Sequence, residues 1–193
     1  MDRKIAVIGA GALGSHFVML ARNLDCTIKV VDFDLVERKN ILGQFHSKMG
    51  LGKNKALALQ QALLGLWDAR INAVPHKLTP DNAAALLGDA DLVIDATDNA
   101  AARRAIMGMT KLHGIPSLHG ALAADGSFGQ VIWGEVFKED EEGEVGQATC
   151  EDGVNLHFHA MVAALMVEEA KMYLTSGFKR SYQLTHDSII RIA

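Results

Sequence analysis

The sequence predicts an α/β fold, a mostly parallel sheet with helices on both faces, and three observations support it. In the stretch Ile5-Ala6-Val7-Ile8-Gly9-Ala10-Gly11-Ala12-Leu13-Gly14, a run of small and branched apolar residues stops at a glycine and helical spacing begins. A second apolar run, Val30-Val31, closes on an acid, Asp32, about 20 residues further on. Apolar runs and helical periodicity then alternate as far as Trp133. Such alternation calls for parallel strands covered on both faces. The arrangement is Rossmann-like, with antiparallel strands near the C-terminal part.

Ala12 to Leu24 reads as the first helix, because Leu13, Phe17, Leu20 and Leu24 share one face. Thr27 to Asp32 is the second strand, with Cys26 at its edge and in the core. Phe33 to Gly52 mixes polar residues with glycines and reads as an extended loop or short helices. Helical spacing returns from Lys53 to Trp67 through Leu57, Ala58, Ala62 and Leu66. Arg70 to Val74 is a short strand, Pro80 to Leu87 a short helix, Asp91 to Asp95 a buried strand and Asn99 to Leu112 the helix after it. Pro116 to Ala121 and Gly129 to Trp133 are strands. Residues 137–149, which include the acidic run from Phe137 to Gln147, read as a mobile surface loop. Asn155 to Leu174 is a long helix whose Met- and Ala-rich stripe suits a core or a dimer face. Tyr182 to Ile192 fits an edge strand. Nothing splits residues 1–193 into two domains.

Each glycine of the first stretch has its own reason. Gly9 makes the turn, Gly11 lets a phosphate approach the backbone, and Gly14 lets the helix pack on the strand. The helix start adds unpaired N–H groups and a positive dipole end. A glycine-rich stretch can be a plain tight turn, but its place between a strand and a helix, with Asp32 further on, leads us to expect a nucleotide-phosphate site. Ligands of such sheets sit beyond the carboxyl ends of the strands, where Gly9, Asp32 and Asp95 to Asp98 fall.

Composition narrows the class. At 49% apolar and 22% charged, the chain is globular and not disordered. A formal charge of −4 argues against general nucleic-acid affinity and provides no basic patch for a membrane. No apolar run reaches the ~18 residues of a membrane span. The first strand begins too early for a secretory signal. The two cysteines, Cys26 and Cys150, fit free thiols of a cytoplasmic protein better than a disulfide framework or a four-cysteine zinc site.

A further set of residues narrows the nucleotide. Asp32 can accept from ribose hydroxyls, Lys55 opens a helix near the phosphates and would neutralise a triphosphate, and Asp98 ends the fourth strand, where it can hold Mg²⁺. A cation, an acid and a glycine loop together suit adenylyl transfer from Mg·ATP, in which positioning and charge neutralisation do most of the work. Hydride transfer from NAD needs neither Lys55 nor Asp98.

With these pieces in order, the chain resembles the ThiF/MoeB/HesA family, bacterial relatives of ubiquitin-activating enzymes. The resemblance runs through Gly9-x-Gly11-x-x-Gly14, Asp32-Phe33-Asp34-x-Val36-Glu37, Asn40 and Gln44, Gly52-x-x-Lys55, Asp95-Ala96-Thr97-Asp98-Asn99 with Arg103, and Gly114-Ile115-Pro116. It covers about residues 4 to 175 and weakens beyond Phe137. It implies an adenylyltransferase that activates the C-terminal glycine carboxylate of a small β-grasp ubiquitin-like or sulfur-carrier protein with Mg·ATP. Asp32 would bind the ribose, Asp34, Asn40, Gln44 and Lys55 would surround the phosphates, and Asp98 would bind magnesium. It also implies a homodimer, packed partly through the Asn155 to Leu174 helix.

Three departures stand out. The arginine that usually precedes the family's glutamine is Gly43 here, so Arg38, Arg103 or Arg22 must replace it, or a partner must supply one, or adenylation is weak. The two Cys-x-x-Cys pairs that hold zinc in many relatives are missing, so no zinc is expected. At this size, no appended domain for a carrier to dock on is expected. Cys150, just before the long helix, has two readings: a thiol that takes the activated carboxylate, as in relatives, or a small, partly buried residue. Glu151 and Asp152 beside it would raise the thiol pKa. His157 and His159, two apart on a helix, point in different directions and read as surface or helix-start residues, not as a metal site, which the scattered His113 and His119 do not make either. Two rival functions remain: a nucleotide-binding partner subunit or scaffold lacking the arginine, and an NAD-dependent oxidoreductase resting on the glycine fingerprint and Asp32 alone.

Overall fold

The computed structural model describes residues 3–135 and 153–192. The acidic segment 137–149 and Cys150 lie outside the described residues. Burial on both faces builds the sheet. In β1 (Arg3–Ile8), Ile5 and Val7 face one apolar cluster while Ala6 and Ile8 face another. The same alternation places Leu92 and Ile94 of β4 (Leu92–Asp95) on the first side and Val93 on the second. Two-sided burial is what a near-continuous apolar run signals.

β2 (Cys26–Val31) and β3 (Asn72–Val74) extend the sheet on one side of β1, and β4 and β5 (Ser117–Leu122) on the other, all parallel. β6 (Phe128–Trp133), β7 (Tyr182–Thr185) and β8 (Ile189–Arg191) continue antiparallel, giving the order β3-β2-β1-β4-β5-β6-β7-β8. The order reverses between β1 and β4. That switch point leaves a crevice beyond their carboxyl ends.

Helix α1 (Ala12–Ala21) and the long α6 (Leu156–Ser176) pack together on one face. α3 (Lys55–Trp67) buries Leu59 and Leu63 in the same cluster. α4 (Pro80–Leu87) and α5 (Ala100–His113) bury Leu87, Ile106 and Met109 on the other face. The stripe of α6, with Phe158, Val162, Ala163, Met166 and Ala170 all fully buried, is used within the chain's own core. Glu169 on that helix, with no exposed surface, accepts from Arg180 Nη2 at 2.7 Å and Nε at 3.1 Å, tying α6 to the approach to β7. Among the described residues no helix is long and apolar enough to cross a membrane.

Most boundaries shift by one or two residues, as where α3 starts at Lys55, β3 at Asn72 and α6 ends at Ser176, and two differences are larger. α1 ends at Ala21, three residues before Leu24, because the chain turns there, with Leu24 N–H donating to the Ala21 carbonyl. The C-terminal run is a hairpin and not one edge strand: Thr185 N–H donates to the Ser188 carbonyl and Asp187 N–H to the Thr185 hydroxyl. Between Phe33 and Gly52 the chain forms the single turn α2 (Asn40–Gly43) and a 3₁₀ turn (Lys48–Gly50).

Candidate functional site

Three glycines shape the crevice for three different reasons. Gly9 has φ +93°, and a Cβ there would lie 2.7 Å from the Ala96 carbonyl oxygen. A Cβ on Gly14 would overlap the Gly9 carbonyl oxygen and sit 2.9 Å from its carbon. Both glycines are demanded by the protein itself. Gly11 is different: a Cβ there would meet nothing within 4 Å, and the residue faces a cavity of about 440 Å³. The first turn of α1 carries no side-chain cap and no acid. Its leading N–H groups are therefore open to an anion beside the Gly11 backbone.

Asp32 braces this loop. Its Oδ2 accepts from Ala10 N–H at 2.6 Å and its Oδ1 from Asp34 N–H at 2.7 Å. Burial pushes the carboxyl up from its ordinary value, against the pull of those N–H groups and of Lys55. Lys55, buried at the start of α3, places Nζ 3.2 Å from Asp34 Oδ2. Gln44 is buried on the cavity wall, and its Oε1 has no hydrogen-bond partner among the described residues. An orphaned buried amide of this kind costs stability unless a ligand completes it. Asn40 is not brought to the cavity. It opens α2, and its Oδ1 instead accepts from Glu37 N–H at 2.9 Å, closing the preceding turn.

The opposite wall is the segment after β4. Asp98 is exposed and lines the cavity, while Asp95 is buried three residues earlier. Burial pushes the Asp95 carboxyl up, but His119, the Thr97 hydroxyl and Arg103 outweigh it and hold the carboxyl below its ordinary value. Of the arginines considered for the Gly43 vacancy, Arg103 alone lines the cavity; Arg22 stacks on Trp67 at 4.3 Å. The cavity continues past the end of β5 along Gly120 to Ala124, with His159 of α6 on its wall.

A model of the ThiF family matches residues 1–188. The chain belongs to the ThiF family. "Probable adenylyltransferase/sulfurtransferase MoeZ" of Mycobacterium tuberculosis is 28% identical over 160 residues, covering 81% of this chain and 37% of that protein. The sulfur carrier protein ThiS adenylyltransferase of Bacillus subtilis is 32% identical over 133 residues, or 66% of this chain and 39% of that protein. The chain thus spans less than half the length of these curated relatives. Among solved structures, E. coli MccB with ATP superposes with TM-score 0.79 at 16% identity, covering 99% of this chain and 64% of that one. At that identity the likeness concerns the fold.

Several residues of this ThiF-family site were not legible in the sequence. His159 is 1% exposed and faces the cavity, against the expectation of a surface or helix-start residue; His157, two positions earlier, is exposed. The third residue of α6 is buried beside it, and no periodicity in the sequence marks which side of the first turn meets the sheet. His76 and Lys77 join the wall from the loop after β3, whose polar sequence carried no signal. His16 and His46 bond the glycine loop: His46 Nε2 lies 2.8 Å from the Ala10 carbonyl oxygen and His16 Nδ1 2.7 Å from that of Ala12. A carbonyl only accepts, so each of these ring nitrogens carries the proton.

Burial lowers the pKa of both histidines from 6.5, more than their backbone bonds raise it. A histidine depressed in the folded state contributes stability that is complete above 6.5 and is lost as pH falls below it. Urea midpoints of the free protein should therefore drop from pH 7.5 to pH 5.5. His46→Gln, which keeps a donor near Nε2 and cannot titrate, should flatten that drop. An unchanged slope in the variant would remove His46 from the account.

Proposed function

We propose that the chain is an adenylyltransferase that uses Mg·ATP to activate the C-terminal glycine carboxylate of a small β-grasp ubiquitin-like or sulfur-carrier protein. The observation that carries this reading is the cavity itself. It joins the open Gly11 backbone, the buried Lys55 and Arg103 to a continuation along Gly120 to Ala124, leaving room for a second reactant beside a nucleotide. The names of the relatives, adenylyltransferases of sulfur carriers, support the same chemistry.

The donor set fits a triphosphate. The uncapped start of α1 and the Gly11 amide would take phosphate oxygens, Lys55 and Arg103 would offset charge, and the free lone pairs of Asp32 would receive ribose hydroxyls. Among the described residues no three His, Cys, Asp or Glu side chains converge as metal ligands. Asp98 would thus hold magnesium as a single carboxylate, with the remaining positions filled by phosphate and water, a common arrangement for that ion. When bound, magnesium would neutralise charge on the leaving pyrophosphate. In the reaction a carboxylate oxygen of the carrier bonds to the α-phosphorus, the bond to the bridging oxygen breaks, and pyrophosphate departs, leaving an acyl-adenylate. Groups fixed before the reaction stabilise that charge at little reorganisation cost. We place the protein in the cytoplasm as a homodimer, to be checked by fractionation and sedimentation.

Pyrophosphate exchange, run with and without a cognate carrier, tests the reading. Carrier-dependent exchange supports the enzyme. Magnesium-dependent ATP binding without exchange supports the scaffold, a reading that the Arg103 on the cavity wall disfavours. Displacement of ATP by NAD would point to the oxidoreductase instead. Lys55→Ala should weaken ATP about tenfold more than AMP, because only the tail needs the charge. Equal losses for both nucleotides would remove Lys55 from the phosphate site.

A further inference from the structure

A second polar chain runs away from the cavity through the sheet. His119 Nδ1 lies 2.8 Å from Asp95 Oδ2, and His119 Nε2 lies 3.1 Å from Ser117 Oγ. All three residues are at most 4% exposed. The spacing is that of a Ser-His-Asp triad, but the environment is not that of a nucleophile. Ser117 sits inside the sheet, where Gly134 has no room for a Cβ against the serine hydroxyl and donates its N–H to the Ser117 carbonyl at 2.8 Å. Ser117 borders a second cavity beside Gly134 and Lys179, but the residue is only 4% exposed and its hydroxyl is engaged by His119.

The other end of the chain shows its use. Asp95 Oδ1 accepts from Thr97 N–H at 3.0 Å and from Thr97 Oγ1 at 2.7 Å. Arg103 Nε lies 3.4 Å from Asp95 Oδ2, and Arg103 Nη2 donates to the Thr97 carbonyl at 2.7 Å. Asp95 is therefore the knot that holds the segment leading to Asp98 and fixes the guanidinium of Arg103. A carboxylate only accepts, so the proton of its bond to His119 sits on Nδ1, while Nε2 lies within hydrogen-bond reach of the Ser117 hydroxyl, which can donate or accept. Asp95 thus fixes the proton on Nδ1, Ser117 holds the other edge of the ring, and the ring in turn holds Asp95. Outer partners of this kind orient a ligating group, and losing one typically costs about 10–100-fold in metal affinity.

We propose that His119, oriented by Ser117, is a positioning residue of the nucleotide site, acting through Asp95 to fix the segment that carries Asp98 and the side chain of Arg103. The role rests on the reading of Asp98 as the magnesium ligand, and two measurements keep the two claims apart. The first is amide hydrogen exchange in the nucleotide-free protein. His119→Gln removes the Nδ1 donor; it should speed exchange at Thr97, whose N–H Asp95 accepts, about tenfold while leaving the β1 amides unchanged. His119→Asn places an amide donor near the Nδ1 position and should restore most of the protection. The second is the magnesium concentration that half-saturates ATP binding, which should rise about tenfold in His119→Gln with AMP affinity kept within about twofold.

Unchanged exchange at Thr97 overturns the proposal whatever the nucleotide data show. Faster exchange with unchanged magnesium dependence reduces His119 to a structural anchor and also overturns it. ATP binding that ignores magnesium in the unsubstituted protein overturns the Asp98 reading and this role with it, while the exchange data still report whether His119 holds the segment. Should His119→Gln not fold, Ser117→Ala gives the answer. It removes one hydroxyl, and it should shift the His119 ring nitrogens in ¹⁵N spectra and speed exchange at the Thr97 amide; silence in both overturns the proposal.

Discussion

Gly14→Ala should cost the chain about 3 kcal/mol, the upper end for forcing an extra carbon into packed structure. For a chain of this length that is a fall of about 6–12 °C in Tm. The reason is what the new Cβ would meet. The Gly9 carbonyl is backbone, and it cannot swing away, because Gly9 N–H donates to the Val31 carbonyl at 2.9 Å and Ala10 N–H to Asp32 at 2.6 Å. Relief requires α1 to lift from the end of β1, and α1 packs against α6 across the core. Gly11→Ala is the control. Its Cβ enters open space, so Tm should fall by no more than about 2–4 °C, the scale of the ~1 kcal/mol that alanine costs at a helix N-cap, while ATP affinity falls. Thermal unfolding and ATP titration of both variants make the comparison. A Gly14→Ala protein as stable as its parent would mean that α1 is not held on β1 as described; a Gly11→Ala protein with full ATP affinity would mean that no phosphate approaches that backbone.

That contrast marks what sequence can carry. Local patterns transmitted the sheet and both structural glycines, because strand alternation, turn geometry and close helix packing act over a few residues. Asp32 and Asp98 were legible because they follow strand ends at the switch point, one residue after β2 and three after β4, and Lys55 because it opens a helix after a capping asparagine, Asn54, whose side chain accepts from Leu57 N–H at 3.2 Å. The misses depend on contacts between distant segments. His119 and Asp95 are 24 residues apart and meet only because β4 and β5 are neighbours in register. His46 reaches Ala10 across 36 residues. Asn40 sat at the right place in the motif, yet its side chain turned back to Glu37, because a one-turn helix leaves the backbone before it in need of an acceptor. The hairpin at Thr185 to Ser188 was hidden because its turn has neither glycine nor proline.

Asp98→Ala should abolish magnesium-dependent ATP binding and lower carrier-dependent pyrophosphate exchange by about a hundredfold or more, the scale of removing one fixed charge from a transition state. The fold should not suffer. Asp98 is exposed in a loop, and substitutions at such positions usually stay within ~0.5 kcal/mol. Asp95, three residues away, should behave in the opposite way. It is 1% exposed and carries the bonds of Thr97, His119 and Arg103, so Asp95→Ala should destabilise the free protein, whereas Asp98→Ala should not. The pair separates the two acids of one short segment by role: one builds the segment and the other uses it. Calorimetric titration of Asp98→Ala with ATP, in magnesium and in EDTA, is the deciding measurement. Parent and variant should coincide in EDTA and diverge in magnesium. A variant that keeps the parent's gain on adding magnesium would place the ion on another group, and the cavity offers few others, since Asp32 already accepts two backbone N–H groups and Asp34 pairs with Lys55.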